Sequence, residues 1–479
     1  MRTKTAIRPR SGTDLSLIAS DVVDESFERV TGAPLLKGNG VRLLIDAAEN
    51  YPAWLEAIES ARDRIFFESY IIHNDDQGEL FADALIKKAA EGVDVKVIYD
   101  WMGAFGTTSI WFWRRLRKGG VDVRCYNPPS LLDPIGVFSR DHRKCIVVDG
   151  RVAYVSGLCV GRDWVGDEGK GIQPWRDTGV ELRGPAVADV EAAFANVWAV
   201  TGGKLDPSRL AQRGQIAEAG ATSLRVVQSV PSAAHIYRSD QILAAVARER
   251  MWMSDAYFVG VPSFLQSLKD AATDGVDVRI LLPQTSDIGV IRDTTRSTYR
   301  PLLEAGVRVF EWNGPMLHAK TAVFDGKISR VGSTNLNIAS WFGNYELDVL
   351  VEDEDFGEQM EQMYLKDLEN ATEIVLEDTQ RVRLKKTKKN RSRRRGSGSV
   401  HKATAGAINA ATSIGAAITK KSNLGPAEAR LLFMVGGVLL ALALLLIKFP
   451  RGASIPFVVL LLVLAVPTLI KALQNYHNH

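Results

Sequence analysis

The sequence predicts an α/β protein made of two similar halves, followed by a C-terminal transmembrane helical hairpin. Three observations support this class. The heptapeptide GVDVKVI at residues 92–98 is echoed by GVDVRIL at residues 275–281. A short motif that combines histidine and lysine also occurs twice. Finally, two apolar runs, at residues 431–447 and 452–470, each approach the length that a helix needs to cross a bilayer.

Length and composition are those of a folded protein with appendages. The chain has 479 residues, of which 46% are hydrophobic and 24% charged, enough for two domains or one large duplicated domain. A net charge of +3 points to no particular partner. Cys125, Cys145 and Cys159 are too few for a disulfide framework and lack metal-ligand spacing. We therefore expect reduced thiols in a domain that faces the cytosol.

Five segments follow from the composition and the repeat. The first 35 residues are polar, lack the apolar core of a signal peptide, and predict an N-terminal tail. The remaining segments are a first α/β half, a second half, a linker rich in basic residues and in Ala, Gly and Ser, and the hairpin. We place them at residues 36–215, 216–375, 376–428 and 429–471.

Strands and amphipathic helices alternate within each half. In the first half we predict helices at 54–61 and 79–90, and strands at 64–72 and 92–100. In the second half we predict helices at 241–248 and 264–273, and strands at 251–258 and 275–282. This alternation predicts a largely parallel sheet, covered by helices, in each half.

The repeated motif has the form H-x-K-x4-D in a chain with only 7 histidines. Each copy opens a short strand, so that alternation places its histidine and lysine on one face. Each strand ends at an Asp-Gly pair, which is typical of a hairpin turn. The motif residues are His142, Lys144 and Asp149 in the first copy, and His318, Lys320 and Asp325 in the second.

The strand after each turn returns small residues to the motif. These are Ser156-Gly157 in the first copy and Gly332-Ser333-Thr334-Asn335 in the second. Two lysines with the Ser333 hydroxyl and the Asn335 amide could neutralise a phosphodiester where charge develops. One neutral imidazole could attack phosphorus, and the other could protonate the leaving oxygen. No metal or other cofactor is required, and a lysine in each motif opposes the binding of a divalent cation.

Carboxylates near the motifs have two interpretations. A catalytic imidazole needs a carboxylate that sets its tautomer. Glu346 follows His318 at the start of a strand, and Asp177 has the comparable place after His142. The alternative for both is a solvated carboxylate at a strand end. For Asp149 and Asp325, a turn-forming or lysine-pairing role is the alternative to direct chemistry.

The paired motifs, each followed by a turn of small residues, resemble those of the phospholipase D superfamily over roughly residues 36–375. The layout looks most like the bacterial cardiolipin synthases. This resemblance implies two phospholipase D-like halves around one active site, with all six motif residues in the catalytic set. It also implies attack by His142 and proton donation by His318.

Two features depart from the family pattern. The family's Gly-Gly-x-Asn after the first motif is replaced by Ser156-Gly157-Leu158-Cys159, which removes an amide and leaves Ser156 as its partial substitute. Many of these synthases also carry N-terminal membrane helices or none that are obvious, whereas the hairpin predicted here is C-terminal.

The predicted transmembrane hairpin implies that the protein is located in the cell membrane. Only four residues, Lys448-Phe449-Pro450-Arg451, separate the two apolar runs; a buried core helix is the alternative for either run alone. Flanking Lys and Arg are more numerous on the side of the termini, which predicts a multi-pass protein whose catalytic domain is cytoplasmic. The basic run from Arg381 to Arg395 could contact anionic headgroups, serve as a solubilising linker, or do both.

The leading functional hypothesis is transfer of a phosphatidyl group from one phosphatidylglycerol to another, giving cardiolipin and glycerol. Hydrolysis of phospholipids is the second hypothesis, because only the acceptor differs. A nucleic-acid role is disfavoured, since the basic run lies beside the membrane segments and no aromatic–basic interleaving marks a base-stacking groove. Intact histidines and lysines in both motifs argue against a non-catalytic scaffold. The sequence does not predict an oligomeric state.

Overall fold

Each half of the repeat folds as a run of strands and helices. The computed structural model describes residues 24–129, 139–287 and 291–376, together with the backbone of residues 289–290 and 382–384. The first half begins with a helix, α1, at residues 24–31. Its other elements are β1 (Leu36–Ile45), α2 (Asp46–Ser60), β2 (Arg64–Ser69), α3 (Asp76–Ala90), β3 (Asp94–Asp100), α4 (Trp101–Ala104), α5 (Ile110–Lys118), β4 (Asp122–Tyr126), β5 (Lys144–Val148), β6 (Val152–Ser156), α6 (Arg162–Val165), β7 (Thr178–Arg183) and α7 (Val187–Val200).

The second half repeats this order and adds two strands at its end. Its elements are β8 (Thr222–Ser229), α8 (His235–Val246), β9 (Arg250–Ser254), α9 (Pro262–Thr273), β10 (Asp277–Pro283), α10 (Gly289–Ser297), α11 (Tyr299–Glu304), β11 (Arg308–Trp312), β12 (Thr321–Phe324), β13 (Ile328–Gly332), α12 (Ile338–Phe342), β14 (Glu346–Glu352), α13 (Glu354–Glu369), β15 (Ala371–Leu376) and β16 (Val382–Leu384). The predicted boundary at residues 215–216 falls between α7 and β8.

The described strands form one 16-stranded mixed sheet, in the order β16-β15-β11-β10-β9-β12-β13-β14-β8-β1-β7-β6-β5-β2-β3-β4. The two halves meet where β1 pairs with β8. The expectation of a largely parallel sheet is wrong. Parallel pairing among the described strands is confined to β2-β3-β4 and β9-β10-β11, where helices connect the strands. The strands that follow the motifs are joined by tight turns, which produce antiparallel neighbours.

The two Asp-Gly pairs form the predicted hairpin turns. Asp149 and Gly150 have φ of 54° and 63°, and Asp325 and Gly326 have φ of 53° and 65°. Positive φ at both central residues is the signature of a type I′ turn, which matches the twist of the flanking strands. The motif strands β5 and β12 therefore lead directly into β6 and β13.

One hydrophobic core spans the junction of the halves. Helix α7 packs on β5 and β6, and α13 packs on β12 and β13. Val180 and Phe194 of the first half belong to the same buried cluster as Val349 and Met360 of the second. Because this shared core and the β1–β8 pairing join the halves, they also hold the two motifs in a defined relative position.

The membrane predictions concern residues that lie outside the described part of the chain. These are the two apolar runs at 431–447 and 452–470, and the basic run from Arg381 to Arg395 apart from the backbone of residues 382–384. In the described ranges, no helix combines the length and the apolar character needed to cross a bilayer.

Candidate active site

The two motif loops meet face to face and exchange backbone hydrogen bonds. The His142 N–H donates to the carbonyl of Tyr345 at 2.9 Å, and the Tyr345 N–H donates to the carbonyl of Arg140 at 2.8 Å. In the other direction, the His318 N–H donates to the carbonyl of Arg176 at 2.7 Å. Each histidine is therefore positioned by the strand start of the opposite half, an arrangement with approximate two-fold symmetry.

The histidine–carboxylate pairs also cross between the halves. The Nδ1 of His142 lies 3.0 Å from Oε2 of Glu346, and the Nδ1 of His318 lies 2.6 Å from Oδ2 of Asp177. Both carboxylates are 0% exposed, so neither is a solvated strand-end group. In the sequence each carboxylate follows the histidine of its own half, whereas in the structure it contacts the histidine of the other.

These contacts determine which ring nitrogen carries the proton. The Nδ1 of His142 faces two acceptors, the Glu346 carboxylate and the carbonyl of Ser333 at 3.1 Å. The Nδ1 of His318 faces the Asp177 carboxylate. Nδ1 must therefore be the donor in both rings, and Nε2 keeps the lone pair of the neutral imidazole. Both rings border one cavity of about 170 Å³, which residues of both halves line.

Burial and the nearby lysines keep both imidazoles neutral in the free protein. Burial and then Lys144 and Lys320 hold the pKa of His142 well below its usual value. Burial and Lys320 lower the pKa of His318 to about 4, against the opposing effect of Asp177. Although burial alone would raise the pKa of Asp177, His318 and Lys320 bring it to about 2, so this carboxylate stays ionised.

The motif lysines place two buried ammonium groups at the site. Lys144 donates to the carbonyl of His142, and Lys320 donates to the carbonyl of His318. Burial lowers the pKa of Lys320 to about 8, and the charge of Lys144 acts in the same direction. Two buried like charges repel each other, and an anion bound between them would relieve this repulsion. The electrostatics therefore favour an anionic ligand.

The structure does not bring Asp149 and Asp325 to the site. The Asp149 carboxylate accepts the backbone N–H groups of residues 62–64, and Asp325 accepts those of residues 248–250, at 2.8–2.9 Å. Asp149 lies five positions after Lys144 at the far end of the strand, a distance of about 16 Å along it. The prediction that Asp149 and Asp325 take part directly in the chemistry is therefore wrong, and both residues have the turn-forming role that was its alternative.

Ser333 holds a carboxylate instead of facing a ligand. Its hydroxyl donates to Oε2 of Glu346 at 2.5 Å and accepts the Leu347 N–H at 2.9 Å. The expectation that this hydroxyl donates to a phosphate is therefore wrong. Asn335, by contrast, lines the cavity, and its buried Oδ1 has no hydrogen-bond partner among the described residues.

The first half lacks the equivalent amide. Cys159 lines the cavity at the corresponding place, and burial raises the pKa of its thiol. Ser156 does not line this cavity, and its buried hydroxyl has a weak contact of 3.4 Å with the Leu158 carbonyl. Ser156 lies instead beside Lys144, in a smaller cavity that both residues line. The cavity presents an amide on one side and a thiol on the other.

Four aromatic residues that the sequence did not indicate surround the histidines. The ring of Tyr70 meets His142 edge-on at 5.0 Å, and Tyr257 meets His318 at 5.9 Å. Trp164 and Trp175 both lie 5.6 Å from His318. The tyrosines could have been found from the repeat, because each stands two residues after a carboxylate at the end of corresponding strands, Glu68 in β2 and Asp255 directly after β9. The tryptophans have no such signal.

Known proteins resemble this chain in sequence over about three quarters of its length. A family model described as "Cardiolipin synthase, PLD-like domain" matches residues 54–163 and 242–368. Cardiolipin synthase A of Pseudomonas putida is 33% identical over 351 residues, which are 72% of each chain. Cardiolipin synthase A of Pseudomonas aeruginosa strain PAO1 is 34% identical over 364 residues, 75% of this chain and 73% of that one.

A solved structure shows the same fold. Phosphatidylserine synthase of Haemophilus influenzae Rd KW20 superposes with a TM-score of 0.59 over 73% of this chain and 92% of that one. The sequence identity is 15%, so this likeness concerns the fold alone.

Proposed function

This chain belongs to the cardiolipin synthase family of the phospholipase D superfamily, and we propose on that basis that it transfers phosphatidyl groups between phospholipids, making cardiolipin from two phosphatidylglycerol molecules. One observation supports the proposal most strongly. His142 and His318, each oriented by a buried carboxylate of the other half, face one cavity beside two buried lysines. These groups supply the nucleophile, the proton donor and the positive charges that a two-step phosphodiester exchange needs.

In the first step, the phosphodiester of the donor lies near Lys144 and Lys320, which offset its charge. The Nε2 of His142 attacks phosphorus, and a P–N bond forms as the P–O bond to the glycerol headgroup breaks. The Nε2–H of His318 gives its proton to the departing oxygen, so that glycerol leaves as a neutral alcohol. His318 is neutral in the free protein, and the anionic substrate raises its pKa on binding.

In the second step, the acceptor is the headgroup hydroxyl of another phosphatidylglycerol. Neutral His318 removes the hydroxyl proton, and the oxygen attacks phosphorus as the P–N bond to His142 breaks. Cardiolipin is released, His142 is again neutral and His318 again carries the proton. No net proton or electron is gained or lost over the two steps. No residue in this sequence of steps requires a metal or an organic cofactor.

The surroundings of the two histidines support this division of roles. His142 lies under the influence of both lysines, which disfavour its imidazolium and leave the ring free to attack. His318 has an ionised partner, Asp177, at 2.6 Å, which favours the imidazolium that an acid catalyst needs. The ionised Asp177 beside His318 therefore supports the proposal that His142 is the nucleophile and His318 the acid.

The membrane location completes the proposal. Residues 431–447 and 452–470 would anchor the chain as a multi-pass protein, with the catalytic domain on the cytoplasmic side. The basic run from Arg381 to Arg395 would lie against anionic headgroups. Protease treatment of sealed inside-out and right-side-out vesicles tests the orientation. Cleavage of the catalytic domain is expected only in inside-out vesicles, and cleavage only in right-side-out vesicles contradicts it.

The activity test uses the full chain in detergent with phosphatidylglycerol, and reads the products by mass spectrometry. The wild type is expected to produce cardiolipin and glycerol, and His142→Ala and His318→Ala are expected to produce neither. His235→Ala, at a histidine that begins α8 and does not line the cavity, serves as the matched control and should retain activity. Phosphatidic acid as the main product would indicate hydrolysis and reject the transferase. EDTA should leave the rate unchanged.

A further inference from the structure

An exposed surface that is both apolar and basic borders the cavity in the first half. We propose that this surface, formed by Phe105 and by Ile110, Trp111, Arg114 and Lys118 of α5, docks the catalytic domain onto an anionic lipid bilayer so that phospholipids can enter the cavity. We call it the docking surface. The inference rests on the proposed phosphatidyl transfer, because it requires a substrate that resides in a bilayer.

Several of the large exposed apolar side chains occur in segments that line the cavity. Eleven occur in the described residues; one of them lines the cavity, four lie within three sequence positions of a lining residue, and one directly follows one of those four in the chain. These six are Phe105, Ile110, Trp111, Val165, Ile172 and Phe342. Because exposing apolar surface costs about 25 cal/mol per Å², such a concentration indicates a surface that is covered in use.

Helix α5 presents its apolar residues on two sides, and only one side is covered. Phe112 and Trp113 are buried, and the Trp113 ring stacks on Tyr99 at 3.7 Å. Ile110 and Trp111 are 60% and 69% exposed. The buried side fixes the orientation of the helix, so Ile110 and Trp111 face solvent as part of the folded structure.

Hydrogen bonds connect the start of α5 to the rim of the cavity. The Asn74 N–H donates to the carbonyl of Thr107 at 3.3 Å, and the Ser109 hydroxyl donates to Oδ1 of Asn74 at 2.7 Å. Thr107 and Phe105 line the cavity themselves, as does His73 beside Asn74. The docking surface is thus continuous with the entrance to the candidate active site.

The charges of the docking surface identify its partner as an anionic bilayer. The guanidinium of Arg114 lies over the Trp111 ring at 4.8 Å, and Lys118 is exposed on the same helix. Arg115 is instead paired with Glu79 and takes no part. A tryptophan beside basic residues suits the headgroup region, where the indole lies at the interface and the cations meet lipid phosphates.

The test compares two forms of the same substrate with the full chain. Long-chain phosphatidylglycerol is presented in vesicles, and short-chain phosphatidylglycerol is presented as dissolved monomers. For the double variant Ile110→Ser/Trp111→Ser we expect kcat/KM on vesicles to fall about tenfold, with the monomer rate unchanged. The matched control, Val246→Ser/Leu365→Ser, removes two exposed apolar side chains away from the cavity and should affect neither rate.

A second variant tests the charges. Arg114→Glu/Lys118→Glu should slow the reaction on vesicles at low salt and leave the monomer rate unchanged, because it reverses the attraction to anionic headgroups. An equal loss on vesicles and monomers would place the residues in folding or catalysis and overturn the inference. Rates on vesicles that stay unchanged in both double variants would also overturn the inference, whether or not the variants differ from the wild type in oligomeric mass. A wild type that transfers no phosphatidyl group in either form rejects the proposed function together with the inference.

Discussion

The Nδ1 of His318 lies 2.6 Å from Oδ2 of Asp177, a carboxylate that belongs to the opposite half of the chain. Asp177 also accepts the Trp164 indole N–H at 3.0 Å and the Thr178 backbone N–H at 2.9 Å. It is therefore held rigidly, and its charge both orients the imidazole and stabilises the imidazolium. The equivalent contact of His142 with Glu346 makes the site a joint product of both halves.

Asp177→Asn should lower kcat for cardiolipin formation by on the order of 10³-fold, since the amide can donate to Nδ1 and select the wrong tautomer of His318. Product formation under saturating phosphatidylglycerol measures the effect. Asp293→Asn, an exposed carboxylate on α10, is the control and should retain full activity. If Asp177→Asn changes only KM, Asp177 does not act through His318.

The pKa of His318 predicts acid sensitivity of the fold. Because the folded-state pKa is about 4 and the ordinary value is 6.5, the unfolded chain binds more protons between these pH values. The free energy of unfolding should therefore fall as the pH drops from 6.5 towards 4, by about 3 kcal/mol from this residue. Thermal unfolding of the wild type and of His318→Gln across this range measures the difference. Parallel pH profiles for the two proteins would contradict the assignment.

Asp149→Ala and Asp325→Ala should reduce stability and leave the chemistry intact. Each removes the acceptor of three backbone N–H groups and a residue suited to positive φ. We expect a loss of about 1–3 kcal/mol in unfolding free energy per variant. Activity at low temperature should stay within about threefold of the wild type. Asp149→Asn, which tolerates the same backbone conformation, should lose less stability. Loss of turnover in a variant that is still folded would return these residues to the catalytic set.

The amide and the thiol of the cavity should differ in importance. Asn335→Ala should lower kcat by about tenfold to hundredfold, because it removes an amide that can donate to the phosphate. Cys159→Ser should stay within about threefold, since the thiol is a weak donor. Each variant serves as the control for the other, because Asn335 and Cys159 occupy equivalent positions in the two halves. Equal losses in both would show that the cavity is functionally symmetric.

The repeat predicted local structure well, but it predicted poorly which strands pair and which carboxylate contacts each histidine. Helices, strands and the Asp-Gly turns follow from periodicity and turn chemistry, which are local properties. The parallel expectation failed because alternation of elements says nothing about the strands joined by tight turns. The crossed partners of His142 and His318 could not be predicted, since contacts between residues far apart in the chain depend on how the halves associate.

Individual side chains show the same limit. The spacing within each motif predicted that the histidine and the lysine lie together. In the structure both histidines line one cavity, and each lysine donates to the carbonyl of its own histidine. Asp149 belongs to the same motif as Lys144, but it follows the last residue of the strand that Lys144 begins, and so lies at the other end of that strand. Motif membership therefore does not establish a shared site.

The central claim is that His142 attacks phosphorus while His318 serves as acid and then base. The most direct measurement uses a phosphatidyl nitrophenyl ester, whose phenolate leaves without a proton. With this donor, His318→Ala should release one equivalent of nitrophenolate in a burst and accumulate a phosphatidyl adduct on His142, mapped by mass spectrometry at neutral to alkaline pH. His142→Ala should give no burst, and His235→Ala should turn over normally. A burst in His142→Ala with the adduct on His318, or no adduct on either histidine, would contradict the account.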